Sequence, residues 1–405
     1  MFDIANATRW TATDGTDPVA IARSLRPLLA DHAERSEAEG RIVDDLLAAL
    51  RANRLFDVLA PHRANGMSAP LIVHIETVAE LAKGCVGTAW AYGVLAMMTA
   101  GAKSMPPHTA ALVFRTGDEL CCVSAAPTGT AERTADGYVI NGTWGYCSGV
   151  LHADAAMIGV GVRERDEVAG FGSCLIDLHD PAVEILDDWH VAGVVGSGSR
   201  SIRVDNMTVP NAAFLDPSLR PPTEVLLTIA GLEPCDLRPT EPLFALGVLG
   251  PMLGAAAAML EAVTESMGRR PVMWWNTPTQ RDSDHLVALL GHAALRIDTA
   301  WLHVRRAAAL VDDNAPIRAL SGFELATIQA DCGHAMEQLR SAGSVLMDIA
   351  GPAAFADANP LQRYWRDLNL GSRHNVLNAE LSAELLGRAL LGLPSNSALL
   401  SNISR

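Results

Sequence analysis

The sequence encodes an α+β protein, mainly α, with helices first, strands in the middle and helices again at the end. Three observations carry this reading. From about Ala20 to Thr116 and from about Pro242 to Leu391 the apolar residues recur with helical period, whereas Leu120 to Leu219 holds short β-branched and aromatic runs. The pairs Asp136–Gly137 and Asn141–Gly142 tolerate positive φ and are strong hairpin signals. The strand-like runs are contiguous, so the chain does not alternate strand and helix as βαβ proteins do. The boundaries fall at 1–117 for an N-terminal helical domain, 118–225 for a central β-domain and 226–405 for a C-terminal helical bundle.

In the first zone Ile42–Arg54 and Leu71–Ala82 are helical, with Pro61, Pro70 and Pro106–Pro107 marking breaks. In the second, strands are expected at Tyr138–Ile140 and Thr143–Trp144, at Ala155–Val162, at Gly172–Leu178 and at Ser201–Val209. The last alternates through Ile202, Val204, Met207 and Val209, interrupted near Asp205–Asn206, as a strand with one buried face does. Pro217, Pro221 and Pro222 lead out of this zone. The third zone has about four long helical segments and an unusual Pro271–Gln280 connection carrying Met273, Trp274 and Trp275. Leu243–Leu260 is uncharged and borderline in length for a membrane span. Its Gly247, Gly250, Pro251, Gly254 and Ala255–Ala258 suit instead a helix packed closely inside a soluble bundle.

Composition narrows the function. The formal net charge is −15 over 405 residues, with no Lys/Arg-rich run. Nucleic acid and anionic membrane both need clustered positive charge, so neither is expected as a partner. The start, Met1–Asp17, is polar and lacks the order of a secretory peptide. Seven cysteines without a CxxC pair look like the reduced thiols of a cytoplasmic protein, and twelve histidines form no metal-binding grouping. No G-x-G-x-x-G opens a helix; Gly193, Gly196 and Gly198 sit between strands, which disfavours hydride transfer from a bound nicotinamide.

Three segments carry chemistry. The first runs from Ser124–Thr128 through the hairpin to Trp144-x-x-x-Ser148–Gly149. The second is Trp189–His190 through Gly196–Ser199 to Pro210. The third is Arg363-x-Trp365–Arg366–Asp367 with Arg373–His374 after it. In this order, over about Ala20 to Pro394, they resemble the acyl-CoA dehydrogenase superfamily, and within it the two-component flavin monooxygenases. The resemblance implies the acyl-CoA dehydrogenase fold, with an N-terminal helical domain, a central β-sheet/barrel domain and a C-terminal four-helix bundle, usually assembled as a homotetramer. It implies an oxygenase component that takes reduced FMN or FAD from a separate NAD(P)H-flavin reductase, without need of a stable complex. With O₂ as co-substrate it would hydroxylate a small aromatic molecule through a C4a-hydroperoxyflavin.

The same resemblance implies roles for residues. Ser148 corresponds to a hydroxyl at flavin N5, where it would help retain the proton, and His374 to the histidine beside C4a. Tyr146 would pack on the ring, Ser124 would lie near its pyrimidine edge, Arg269 and Arg270 fall just before the Trp-rich connection where the family often has an arginine near the flavin phosphate or ring, and Arg366 is a further cofactor-binding candidate. Asp367 is expected to pair with Arg363 or Arg366. Trp90, in the element Gly87–Trp90, and His152 are candidate substrate contacts. Where phenol hydroxylases of this branch carry histidine, this chain has Met97, Met98 and Gly101. A thioether cannot deprotonate a phenol, so an indole-like ring in a Met-lined pocket fits better, unless the methionines are simply core. The alternatives are a dehydrogenase acting on an acyl thioester, which needs a carboxylate base, an N-oxygenase of an amine or amino sugar, and a ligand-binding relative without turnover.

Overall fold

Helices occupy the first quarter of the chain. The computed structural model describes residues 10–164, 167–401 and 403; of the polar start, residues 1–9 lie outside them. The helices are α1 (Pro18–Asp31), α2 (Ala33–Glu39), α3 (Asp44–Ala52), α4 (Leu71–Ala82), α5 (Val86–Lys103) and the single turn α6 (Pro107–Ala110). Asp17 starts α1 by accepting the Ala20 N–H, with Pro18 in the first turn. Nearly every side chain of α4 and α5 is buried, because sheet and C-terminal helices close over them.

Seven strands follow among the described residues: β1 (Cys121–Arg133), β2 (Gly137–Trp144), β3 (Ala155–Glu164), β4 (Glu167–Asp177), β5 (Val183–Ile185), β6 (Ile202–Pro210) and β7 (Phe214–Leu215). They form one sheet in the order β5-β6-β2-β1-β3-β4-β7. Only β1 and β3 pair in parallel. Asp136–Gly137 turns β1 into β2 as expected, with Arg133 opposite Tyr138. Asn141–Gly142 does not turn the chain; it lies inside β2, where the register against β6 slips. Asn141 Oδ1 accepts the Asn206 N–H at 2.8 Å, so this slip and the interruption at Asp205–Asn206 are one bulge. Gly142 is required because a Cβ there would lie 2.5 Å from the Gly129 Cα of β1, with the Trp144 ring next at 3.0 Å. Trp144 is fully buried and donates its indole N–H to the Gly159 carbonyl at 2.6 Å, locking the hairpin to β3.

A second irregularity shapes the site. Ser124 pairs with Ile158 but Gly129 with Val160, so Ala125–Thr128 bulges out of β1 and is exposed. Pro127, having no N–H, cannot join the ladder there.

The C-terminal helices are α7 (Thr223–Leu226), α8 (Glu241–Gly247), α9 (Leu249–Met267), α10 (Asp284–Asn314), α11 (Gly322–Ala350), α12 (Pro360–Gly371) and α13 (Ala379–Leu391). α10 and α11 pack along each other, α9 and α13 flank α11, and α12 rests on α9. The uncharged stretch divides between α8 and α9 and is largely buried. Its small residues allow backbone contact: a Cβ on Gly254 would lie 2.2 Å from the Ala79 carbonyl of α4. In the Pro271–Gln280 connection Val272 pairs with Thr277, and Met273, Trp274 and Trp275 stand in solvent.

Candidate active site

The turn after β2 is tied to the segment before β6. Cys147 N–H donates to the Arg200 carbonyl and Gly149 N–H to that of Ser197. This places the Ser148 hydroxyl in a buried position between sheet and helices. α5 approaches the same segment closely, because Gly87 faces the Gly196 backbone where a Cβ would come within 2.9 Å. From α5, Trp90 donates its indole N–H to Ser148 Oγ at 3.0 Å. The other side of that indole meets His374, with ring centroids 6.0 Å apart. His374 follows α12, its N–H bonded to the Gly371 carbonyl at 3.1 Å. Gly371 lets Trp90 in, since a Cβ there would sit 3.1 Å from the ring. One indole therefore joins the two residues expected to do the chemistry.

His374 is exposed to solvent yet crowded by protein, as a side chain in a concave mouth is. Burial of its surroundings lowers its pKa below 6.5, so the imidazole is neutral at physiological pH. Tyr146 holds φ +60°, an uncommon conformation for a bulky residue that costs roughly 1–3 kcal/mol. Its ring is 78% exposed and meets Trp189 edge-on, with centroids 5.8 Å apart, so a broad aromatic face is open to a planar ligand. Ser124 gives its hydroxyl proton to the Gly145 carbonyl at 2.8 Å and so braces the turn leading to Tyr146.

Ser199 and Ser197 were assigned no role from the sequence. Ser148 Oγ lies 2.8 Å from Ser199 Oγ, which lies 2.7 Å from Ser197 Oγ, all three buried. The signal was the Gly196–Ser–Gly–Ser199 run, whose glycines let the backbone fold against α5 and α2.

The pairing expected of Asp367 is corrected. Asp367 pairs with neither arginine: its buried carboxylate accepts the Val194 N–H, and burial raises its pKa to about 7. Arg363 and Arg366 instead pair with Glu37 of α2, at 2.8 and 2.6 Å. Arg366 also donates to the Ala192 carbonyl and to Gln362, so its donor fork is occupied. Arg269 is exposed and pairs with Glu265 one turn back, and Arg270 donates to the Ala350 carbonyl. His152 faces the N-terminal helices, where Arg41, Asp44 and Arg51 act on it; burial lowers its pKa to about 4. Met97 is core, its thioether lying 2.8 Å from where a Cβ on Gly247 would be. Met98 is half-buried where α5 meets the sheet. A cavity of about 910 Å³ opens beside Glu37, Arg363, Trp365 and Arg366, but Ser148, Trp90 and His374 do not line it.

Gly193 sets the distance between this segment and α12. A Cβ there would lie 2.5 Å from the Arg366 carbonyl, and neither is a flexible side chain. Gly193→Ala is expected to cost ~1–3 kcal/mol as α12 is forced outward. Denaturant unfolding measures that cost, and flavin binding reports the displacement of His374.

The donor set suits a planar, neutral heterocycle with a polar edge: a hydroxyl with a fixed indole partner, an uncovered aromatic face and a neutral imidazole. Between a sheet and C-terminal helices in helix–sheet–helix order, that is the scaffold of a flavoenzyme with the acyl-CoA dehydrogenase fold. Residues 246–379 match the family Acyl-CoA dehydrogenase, C-terminal domain. The structure of XiaF from Streptomyces sp., in complex with FADH2 and glycerol, superposes with a TM-score of 0.89 at 30% identity, covering 94% of this chain and 96% of that one. The oxygenase subunit HsaA of a flavin-dependent monooxygenase from Rhodococcus jostii (strain RHA1) is 26% identical, over 92% of this chain and 97% of its own. The oxygenase component of p-hydroxyphenylacetate 3-hydroxylase from Acinetobacter baumannii is 26% identical, over 94% of this chain and 90% of its own. The chain belongs to the acyl-CoA-dehydrogenase-like two-component flavin-dependent monooxygenases, as an oxygenase component. It is an enzyme that works with reduced flavin.

Proposed function

We propose that the protein holds reduced FMN or FAD with the N5 edge against Ser148 and the ring covered by Tyr146, and hydroxylates a small aromatic substrate placed near His374. The carrying observation is the Trp90 indole, which hydrogen-bonds Ser148 on one side and meets His374 on the other. Bound reduced flavin supplies the activation of O₂. His374, neutral and without a hydrogen-bond partner among the described residues, donates to the transferred oxygen or accepts the proton the ring releases. Trp90 fills the space between and keeps water from Ser148. An acyl-thioester dehydrogenase needs a carboxylate base in this place, and the nearby acid, Asp367, is turned to the Val194 N–H.

From Val86 to Gly101, α5 offers no histidine or carboxylate, so the substrate ring is one that needs no second base. This favours an indole-like ring over a phenol. The reduced flavin comes from an NAD(P)H-flavin reductase that forms no stable complex with this chain. We place the enzyme in the cytoplasm, where its seven free thiols persist, as a homotetramer joined through the C-terminal helices.

The test is anaerobic titration with reduced and oxidised FMN and FAD, followed by oxygen in the presence of indole and phenol. Tighter binding of the reduced form and oxygen in the product are expected. Equal binding of both forms without product would sink the reading. Ser148→Ala should weaken reduced-flavin binding about tenfold, the worth of one hydrogen bond of ~1.5 kcal/mol, and raise the peroxide released per oxygen consumed.

A further inference from the structure

We propose, resting on the placement of flavin at Ser148, that Asp367 is a positioning residue whose buried carboxylate clamps Val194 in a left-handed conformation and so holds the turn that carries Ser148. Val194 has φ +52° and is the only β-branched residue with positive φ among the described residues. The branched Cβ makes this conformation costly, and such strain persists only where the surroundings fix it. Glycine stands one residue earlier and two residues later, yet valine occupies the strained place. Its side chain is 1% exposed, in the apolar cluster that also holds Trp90 of α5 and Leu368 of α12.

Both backbone groups of Val194 are engaged. Its N–H donates to the Asp367 carboxylate, which is 5% exposed and makes no other hydrogen bond among the described residues. Its carbonyl accepts the Ser197 N–H at 3.0 Å, closing the turn Val195–Ser197. The Ser197 carbonyl accepts the Gly149 N–H at 2.9 Å, one residue after Ser148. A line of backbone hydrogen bonds thus runs from α12 to Ser148 with one strained link in it. Arg363 and Arg366, on the same helix as Asp367, are drawn away to Glu37 and add no second hold. Without the acceptor oxygen the Val194 N–H is buried and unpaired, and the residue gains by rotating to negative φ. That rotation turns its carbonyl from Ser197 and frees Gly149 and Ser148 to shift.

A double-mutant cycle tests the clamp, because glycine takes positive φ without the steric cost. Asp367→Ala alone should weaken anaerobic binding of reduced flavin about tenfold, the worth of one hydrogen bond to a charged acceptor, and raise the peroxide released per oxygen consumed. In a Val194→Gly background the same substitution should weaken binding less than about twofold, because no strain is left to hold. Asp367→Asn, which keeps an acceptor oxygen, should recover most of the affinity that Asp367→Ala loses. Equal losses in both backgrounds would mean that Asp367 only supports α12. A loss in Asp367→Asn as large as in Asp367→Ala would mean that its charge acts and not its acceptor oxygen. Either result, or an Asp367→Ala enzyme that binds as the wild type does, overturns the clamp. Should Asp367→Ala alone fail to fold, the cycle is read by thermal unfolding. Val194→Gly should then restore a folded Asp367→Ala enzyme, and a double variant that stays unfolded overturns the clamp. An unchanged flavin affinity in Ser148→Ala sinks instead the placement of flavin, and the role of the clamp falls with it.

Discussion

A His374→Ala enzyme is expected to fold normally, bind reduced flavin within a few-fold of the wild type, and form product 10²–10⁴ times more slowly, the usual range for a lost acid–base group. The ring makes no hydrogen bond among the described residues and is open to solvent, so its removal strands no buried partner. Oxygen should still be consumed, but its reduction should end as free peroxide rather than as hydroxylated product. The pH dependence gives a second signature. The His374 pKa lies below 6.5, so the neutral imidazole dominates at pH 7 and is lost only as the pH falls past its folded value. Coupling of oxygen consumption to product should therefore hold from pH 7 upward and fall on the acid side. His374→Asn should remove that acid limb along with most of the rate. Coupling that matches the wild type would exclude His374 from the chemistry.

The residues that met in space were those embedded in local motifs. Ser148 sits in the Trp144-x-x-x-Ser148–Gly149 element, and His374 follows the Arg363-x-Trp365–Arg366–Asp367 element, both legible in the sequence. Their meeting through Trp90 was not, because it depends on α5 crossing the segment before β6 at a glycine–glycine contact. Long charged side chains were the least legible. Arg366 and Arg363 turned to Glu37, more than three hundred residues earlier in the chain, and no spacing in their own helix announces such a partner. Asp367 lost its expected arginines for the same reason and found a backbone N–H instead. Asn141–Gly142 shows a different failure. The pair does mark a position of unusual φ, but the close approach of the Gly129 backbone and the Trp144 ring used that freedom for a bulge within a strand rather than a turn between two. Tertiary packing decided what a local signal was used for.

His74 offers a stability test independent of the active site. It lies on α4, is 0% exposed, and neither ring nitrogen makes a well-formed hydrogen bond among the described residues, the Gly93 carbonyl lying close enough to act on the ring only weakly. Burial, with the nearby Arg238 charge as a smaller contribution, lowers its pKa to about 4 from 6.5. The unfolded chain thus binds the proton more readily than the folded one. Stability from this group is complete above pH 6.5 and is lost as the pH falls toward 4, by ~3 kcal/mol in all and about 2 kcal/mol by pH 5. Asp367 acts in the opposite sense over the same window. Its folded pKa of about 7 stands above the ordinary 3.8, so its contribution is lost as the pH rises. The total pH slope of the wild type therefore mixes the two, whereas its difference from His74→Leu isolates the histidine. At pH 7 the leucine variant should be as stable as the wild type or more so, because it replaces a poorly partnered polar ring by an apolar group of similar reach. By pH 5 its advantage should have grown by about 2 kcal/mol in urea unfolding at fixed protein concentration. A difference that stays constant between pH 7 and pH 5 would mean that the imidazole finds a partner or water when it protonates, and that α4 is less tightly enclosed than its burial implies.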